Sequence, residues 1–191
     1  MKMSKEKRPG LKKYDDRLPS YINVDRLRRE LEKFDKKTFD DRIQKMVQLN
    51  LILGEERYMM TESLAVYYFQ EAKTCFIFSQ FAASIIMCQL VCEEMIKSVY
   101  RSSGNTKIVN DFNFAQLIDK ATEDQIIPPQ FAKRLHDMRK FRNIIEHSKD
   151  YSDEQMRLFL GNYYGIALQL KAKAIESMEL AVMLMNSLSF G

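Results

Sequence analysis

The stretch FAASIIMCQLVCEEMIKSVY, residues 81–100, decides the class of fold to which this chain belongs. Its apolar residues recur at the steps of one helix face, and Gly104 shortly afterwards is a natural helix stop. The face that they form carries Ala82, Ile86, Leu90, Ile96 and Tyr100. The pattern predicts a long helix over about residues 80–102 that packs against a hydrophobic core.

The composition of the whole chain also favours helices. At 191 residues the chain suits one domain with an appendage, and its 46% of hydrophobic residues is enough for a core. Six glycines and four prolines leave few turns for a sandwich or a barrel. We therefore expect an all-α fold: an antiparallel helical bundle of four to five core helices with an N-terminal helical extension.

Cysteine usage and hydropathy indicate where such a protein works. Cys75, Cys88 and Cys92 are odd in number and lie in apolar helical segments, which is not the pattern of a secreted disulfide scaffold. The first residues are polar and do not resemble a signal peptide, and no apolar run approaches the roughly 20 residues that span a bilayer. We expect a soluble, cytoplasmic protein without a membrane partner.

The net charge of +4 is too small to identify a nucleic-acid binder, but the charge is unevenly distributed. Residues 1–20 form a basic arm, which either contacts phosphate backbones or is a flexible, solvated terminus. In the extension that follows, residues 21–57, the apolar spacing predicts two short amphipathic helices. Residues 58–191 are expected to form the bundle. A second basic cluster lies within it and comprises Lys133, Arg134, Arg139, Lys140, Arg142 and Lys149.

Capping residues predict where the first helices of the bundle begin. Thr61 or Ser63 can cap a helix that covers about residues 62–78. After the long helix, Asn110 or Asp111 can cap a short one.

Two further helices complete the expected bundle. The prolines at positions 128 and 129 should start a helix near residue 129 that ends close to residue 147. Ser152, with Gln155 three residues later, forms a capping box for a last helix over about residues 153–187. Gly161 and Gly165 lie one turn apart on this helix, which either permits a close approach by another helix or has no structural role.

The stretch FRNIIEHS, residues 141–148, carries one of only two histidines in the chain. On a helical wheel Arg142 falls within the apolar stripe of its helix, where an unpaired charge is costly, so it needs an acidic partner, a water-lined cleft or another subunit. His147 falls about 140° away on a polar flank. The two side chains can therefore converge only at the helix end or through a second copy of the helix in a dimer.

Glu93 poses the same problem, since it lies on the apolar face of the helix over residues 80–102. Two partners remain open from the sequence. Arg142 would compensate the carboxylate if the two helices pack together, whereas Lys97 lies one turn further along the same helix.

The two long segments resemble a known family, the HEPN domains. Residues 79–104, SQFAASIIMCQLVCEEMIKSVYRSSG, are similar to the second core helix of that family, including its pattern C-Q-x-x-x-E-x-x-x-K. Residues 135–147, LHDMRKFRNIIEH, resemble the family signature, in which a polar residue follows an arginine and a histidine comes four to six positions after that arginine. The resemblance covers about residues 60–185, and the first 50 residues match nothing in the family.

The resemblance implies a HEPN-like bundle that forms a homodimer and acts as a metal-independent endoribonuclease, a toxin or a phage-defence effector. His147 would move protons near pH 7, Arg142 would stabilise negative charge on the phosphorane, and Asn143 would orient the phosphate or the histidine. Glu93 and Lys97 would support the site. The expected product carries a 2′,3′-cyclic phosphate.

The partners implied are RNA, a second copy of the chain, and an inhibitory or activating protein of the same defence system. The cations expected to bind RNA are Lys140, Arg139 and Lys149. An alternative function is a non-catalytic HEPN-like module that binds RNA, a nucleotide or a protein and keeps the motif for dimer structure.

Other chemistry finds little support in the sequence. A Gly-rich phosphate loop, a G-x-S-x-G turn and an H-E-x-x-H zinc motif are absent, so we expect no cofactor and no metal. Cys88 and Cys92 are one turn apart but have no further ligands nearby in sequence, which favours core packing. His136 is expected to be a surface residue and Glu146 a solvated carboxylate.

Overall fold

A computed structural model describes residues 23–54, 63–146 and 163–188 of the chain. These residues form an all-α structure, as the sequence predicts. None of the helices in the described ranges is both long and apolar enough to cross a membrane. In chain order the helices are α1 (Val24–Leu53), α2 (Ser63–Ile77), α3 (Phe81–Ser102), α4 (Thr106–Asp111), α5 (Phe114–Glu123), α6 (Pro129–Glu146) and α7 (Tyr163–Leu188).

The chain divides into two compact units, Met1–Asp41 and Arg42–Gly191. The division falls inside α1, whereas the sequence placed the end of the extension at residue 57. The prediction of two short helices in the extension is wrong, because α1 is one helix over Val24–Leu53. The basic arm, residues 1–20, lies outside the described residues.

The core of the unit Arg42–Gly191 is built around α3. This helix packs against α2 and α7 most extensively and also contacts α4, α5 and α6. Its fully buried side chains include Ile85, Val91 and Ile96. Because several helices pack on α3, its buried residues form a broad apolar side, and charged residues such as Glu93, Glu94 and Lys97 lie on the less buried side. The stretch that suggests the fold class is thus the central element of the bundle.

The end of α3 follows the sequence expectation, but the next segment does not. Gly104 has a φ of +74°, a left-handed conformation that glycine adopts without steric cost, and α3 stops just before it. Asn110 and Asp111 do not cap a helix, since they are the last residues of the short helix α4. The residue that caps α5 is Asn113, whose Oδ1 accepts a hydrogen bond from the backbone N–H of Gln116 in a complete capping box.

A polar cluster joins α3 to the end of α5. The hydroxyl of Tyr100, a residue only 4% exposed, donates a hydrogen bond to Asp124 Oδ2 at 2.9 Å. Lys120 donates to the other oxygen of Asp124 at 2.7 Å. The hydrogen bonds from Lys120 and Tyr100 lower the pKa of Asp124, and burial raises the pKa of Tyr100. The cluster therefore fixes the connection from which α6 begins.

Helix α6 carries the motif and starts at Pro129, as the sequence predicts. Ala132, Leu135 and Met138 are its buried residues and attach it to the core. It ends at Glu146, close to the predicted end. The start predicted for the last helix, with its capping residues Ser152 and Gln155, lies outside the described residues.

Candidate functional site

The last turns of α6 hold two of the three residues of the proposed motif side by side. Arg142 Nη1 donates a hydrogen bond to Asn143 Oδ1 at 3.4 Å. Arg142 Nη2 lies 2.9 Å from Glu146 Oε2, which makes an ion pair across one helical turn. The side chain of Arg142 is 30% exposed. The guanidinium of Arg142, whose burial the sequence predicted to be energetically costly, is therefore paired within its own helix and remains in contact with solvent.

The structure decides between the two partners that the sequence allowed for Glu93. Its Oε1 accepts a hydrogen bond from Lys97 Nζ at 2.7 Å, so the local pair on α3 forms and the pair with Arg142 does not. Both side chains of the local pair are about four-fifths buried. Glu93 and Lys97 thus neutralise each other in a partly desolvated position, and they are not part of the polar contacts around Arg142.

Two arginines of α6 retain donors that are not used in the described part of the chain. The Nε atoms of Arg139 and Arg142 are buried, and neither has a hydrogen-bond partner among the described residues. Buried donors without acceptors are uncommon in folded proteins and call for a partner. Lys140, which follows Arg139 in the sequence, is exposed to solvent.

His136, the histidine not assigned to the motif, has a structural contact. Its Nε2 lies 3.0 Å from Asp119 Oδ1, so the side chain links α6 to α5. About a quarter of the side chain is exposed. It is thus a part-exposed residue that connects two helices rather than a freely solvated one.

A shallow cleft lies between α6 and α7, so one of its walls is the helix that carries Arg142 and Asn143. Arg134, Phe141 and Lys173 line part of it, and Lys173 Nζ lies 5.9 Å from the centre of the Phe141 ring. Sequence reasoning did not single out Lys173, because nothing in the α7 sequence distinguishes it from other solvated lysines. Only the packing of α7 on α6 brings its charge beside the motif helix.

The remaining site residues fall at or beyond the end of α6. His147 and Lys149 lie outside the described residues, so the catalytic role of His147 and the RNA-binding role of Lys149 remain predictions. Within the ranges that the structure describes, no group of three or more acidic, histidine or cysteine side chains is arranged to hold a metal ion. Cys88 and Cys92 are buried in the core and unbridged, and burial raises the pKa of both thiols.

Comparisons with protein-family models, with curated proteins and with solved structures find no match for this chain. The assignment of function therefore depends on the residues and their geometry.

Proposed function

We propose that the chain is a metal-independent endoribonuclease of HEPN type, with Arg142, Asn143 and His147 as its catalytic residues. The observation that carries the proposal is the pair of unsatisfied Nε–H donors of Arg139 and Arg142, one turn apart on α6. His147 is the residue that follows the end of this helix in the sequence. Guanidinium donors beside a histidine are the groups that metal-free cleavage of a phosphodiester requires.

The chemistry needs proton transfer and stabilisation of negative charge. The 2′-hydroxyl oxygen of the substrate attacks the adjacent phosphorus and gives its proton to a solvent water molecule, and the bond from phosphorus to the 5′-oxygen breaks. His147 supplies a proton to the departing 5′-oxygen, because an imidazole titrates near neutral pH. Arg142 stabilises the phosphorane, and Asn143 orients the phosphate or the imidazole. The products are a 2′,3′-cyclic phosphate and a free 5′-hydroxyl.

The proposal includes a homodimer in which two copies of α6 lie close together. On a continuous helix His147 would point about 140° away from Arg142, so one straight helix cannot direct both at one phosphate. The remaining RNA contacts are assigned to Lys140, Arg139 and Lys149, since cations hold the phosphate backbone without reading sequence. Glu93 and Lys97 support the site only as a local ion pair of α3.

One observation favours the alternative, a HEPN-like module that binds RNA, a nucleotide or a protein without cleaving RNA. The ion pair between Arg142 and Glu146 already neutralises the guanidinium within α6. A pair of this kind satisfies a helix without any substrate. Under this alternative the motif contributes to helix and dimer structure alone.

The test compares cleavage of total RNA in EDTA by the wild-type protein, His147→Ala and Arg142→Ala. Loss of a general acid should lower the rate by about 10²- to 10⁴-fold. His136→Ala is the matched control: it removes the other histidine, whose contact is with Asp119, and should leave the rate unchanged. Circular dichroism checks that each variant is folded.

Two outcomes reject the nuclease. The wild-type protein leaves RNA intact, or His147→Ala cuts as fast as His136→Ala. Glu146→Gln separates the two functions further, because it releases the guanidinium of Arg142. The nuclease proposal expects undiminished cleavage from this variant, and the non-catalytic alternative expects none. The ends of the cleaved RNA are then examined for the cyclic phosphate.

A toxin or a phage-defence effector should also arrest growth when it is expressed in a bacterium. We expect arrest with the wild-type protein and none with His147→Ala. An inhibitory protein of the same system would reverse the arrest on co-expression. A wild-type protein that cuts RNA in solution but never slows growth would limit the proposal to the enzymatic activity.

A further inference from the structure

The unit Met1–Asp41 presents apolar side chains that are exposed to solvent. Within its described residues, 23–41, Leu27, Leu31 and Phe34 are 53%, 61% and 51% exposed. They follow the alternating four- and three-residue steps of a coiled-coil seam, so all three lie on one face of α1. A helical segment that leaves its apolar stripe in water gains little stability from it, because helices in proteins depend on packing of that stripe.

The charges that flank this stripe are arranged in opposite pairs. The heptad register is set by Leu31 at position a and Phe34 at position d. In this register Asp35 is the e residue of the same heptad, and Arg28 is the e residue of the preceding heptad. Glu30 and Lys37 occupy the two g positions. Each class of flanking position thus contains one cation and one anion, seven positions apart in sequence.

This arrangement fits one orientation of a second copy of α1. In an antiparallel pair of helices e positions face e positions and g positions face g positions, so that Arg28 meets the partner's Asp35 and Glu30 meets the partner's Lys37. In a parallel pair a g residue faces the e residue five positions later, which places Glu30 against the partner's Asp35. Like charges at these positions oppose that orientation.

We propose that residues 23–41 form an antiparallel two-helix interface with a second copy of this chain. Leu31 packs against the partner's Phe34 on both sides of the two-fold axis. Leu27 packs against the partner's Thr38, whose hydroxyl is already hydrogen-bonded to the backbone oxygen of Phe34 and whose methyl group is available for apolar contact. None of these residues belongs to the motif of α6, and the proposal does not depend on the nuclease assignment.

The charges of the interface are compatible with the ion pairs that α1 already contains. Arg26 Nε lies 2.8 Å from Glu30 Oε1, and Arg28 Nη1 lies 3.4 Å from Asp25 Oδ1. A carboxylate accepts several hydrogen bonds and a guanidinium donates five, so each charge can also contact the partner subunit. The pairs between subunits therefore extend those within the helix rather than replace them.

The orientation is tested with cysteine variants of the full-length chain. Leu31→Cys and Phe34→Cys proteins are mixed and oxidised, and the disulfides are mapped by mass spectrometry, which separates them from any bond to the native cysteines. The antiparallel interface predicts a mixed disulfide between positions 31 and 34, because a disulfide needs Cβ atoms about 4 Å apart. Arg29→Cys mixed with Lys36→Cys is the matched control, since both positions point away from the seam.

Disulfides that join position 31 to 31 and position 34 to 34 would instead indicate a parallel pair and overturn the proposed orientation. Mixed disulfides no more frequent than those of the control pair would overturn the interface itself. Neither result bears on RNA cleavage, so failure of the interface and failure of the nuclease are distinguishable.

A charge exchange tests the interface without a cysteine. Arg28→Glu places a carboxylate opposite the partner's Asp35 at both symmetric contacts. It should weaken self-association, measured by sedimentation velocity, by about tenfold. Adding Asp35→Lys should restore it. Arg29→Glu changes the charge equally at the neighbouring position and should have no effect. Equal weakening by Arg28→Glu and Arg29→Glu, or a wild-type chain that stays monomeric at high concentration, would refute the proposal.

Discussion

Replacement of Tyr100 by phenylalanine tests the polar cluster that holds the connection between α5 and α6. The variant keeps the buried ring and removes only the hydroxyl that donates to Asp124 at 2.9 Å. Hydrogen bonds to charged groups contribute about 1.5–3 kcal/mol. The Asp124 side chain is 33% exposed, so water replaces part of the lost contact. We therefore expect the free energy of unfolding to fall by about 1 kcal/mol, less than a fully buried hydrogen bond to a charged group contributes and typical of hydrogen bonds in general.

Urea denaturation followed by circular dichroism at pH 7 measures this loss, which should lower the melting temperature by about 2–4 °C in a chain of this size. Tyr67→Phe is the matched control, because Tyr67 is 58% exposed and its hydroxyl is not part of the cluster. Equal losses in Tyr100→Phe and Tyr67→Phe would refute the reasoning.

Acid provides a second check on the same cluster. The pKa of Asp124 is lowered in the folded protein, so its stabilising effect is present above the unfolded pKa of about 3.9 and is lost as the pH falls through the lower folded value. The difference in stability between the wild-type protein and Tyr100→Phe should therefore shrink between pH 5 and pH 2. A difference that stays constant to pH 2 would show that the carboxylate is not the acceptor that matters.

Three other predictions concern a buried leucine, a helix cap and the buried thiols. Leu135 is fully buried in α6, so Leu135→Ala should lower the free energy of unfolding by about 2–5 kcal/mol, whereas Lys133→Ala on the exposed side should change it little. Asn113→Ala removes the acceptor of the α5 capping box and should cost about 1 kcal/mol in urea denaturation. The thiols of Cys88 and Cys92 are buried and have raised pKa values, so a thiol reagent at pH 8 should modify them only after denaturation; modification in the native protein would contradict their burial.

The sequence was sufficient for the elements that have strong local signals. The length of α3, the left-handed stop at Gly104 and the proline at the start of α6 depend on signals that act over a few residues, and these predictions are confirmed. The predicted core face of α3 is only partly right, because Ile96 and Tyr100 are buried whereas Ala82, Ile86 and Leu90 are not. The continuity of α1 was missed because a five-residue step separates Phe34 from Phe39 and shifts the apolar stripe around the helix. Helix α4 was missed because six residues contain too few apolar positions to define a period.

The candidate site shows a different limit of sequence reasoning. Glu93 and Arg142 were both recognised as charges on apolar faces, but the choice of partner depends on distances that a helical wheel does not contain. In each case a residue one turn away on the same helix is the partner, Lys97 for Glu93 and Glu146 for Arg142. The contact of Tyr100 with Asp124 could not be anticipated, because it depends on how α5 returns to α3.

The central position of α3 has a consequence for synthesis of the protein on the ribosome. Helix α7, which packs extensively on α3, is translated after the other helices that pack on α3, so the part of the α3 surface that α7 covers is exposed until Leu188 has been added. At bacterial and eukaryotic elongation rates the delay between Ser102 and Leu188 is roughly 4–17 s. During this interval the nascent chain exposes the apolar side of α3 against which α7 later packs, which is the kind of surface that chaperones bind. We therefore expect chains truncated before α7 to be retained by chaperones or to aggregate rather than to fold.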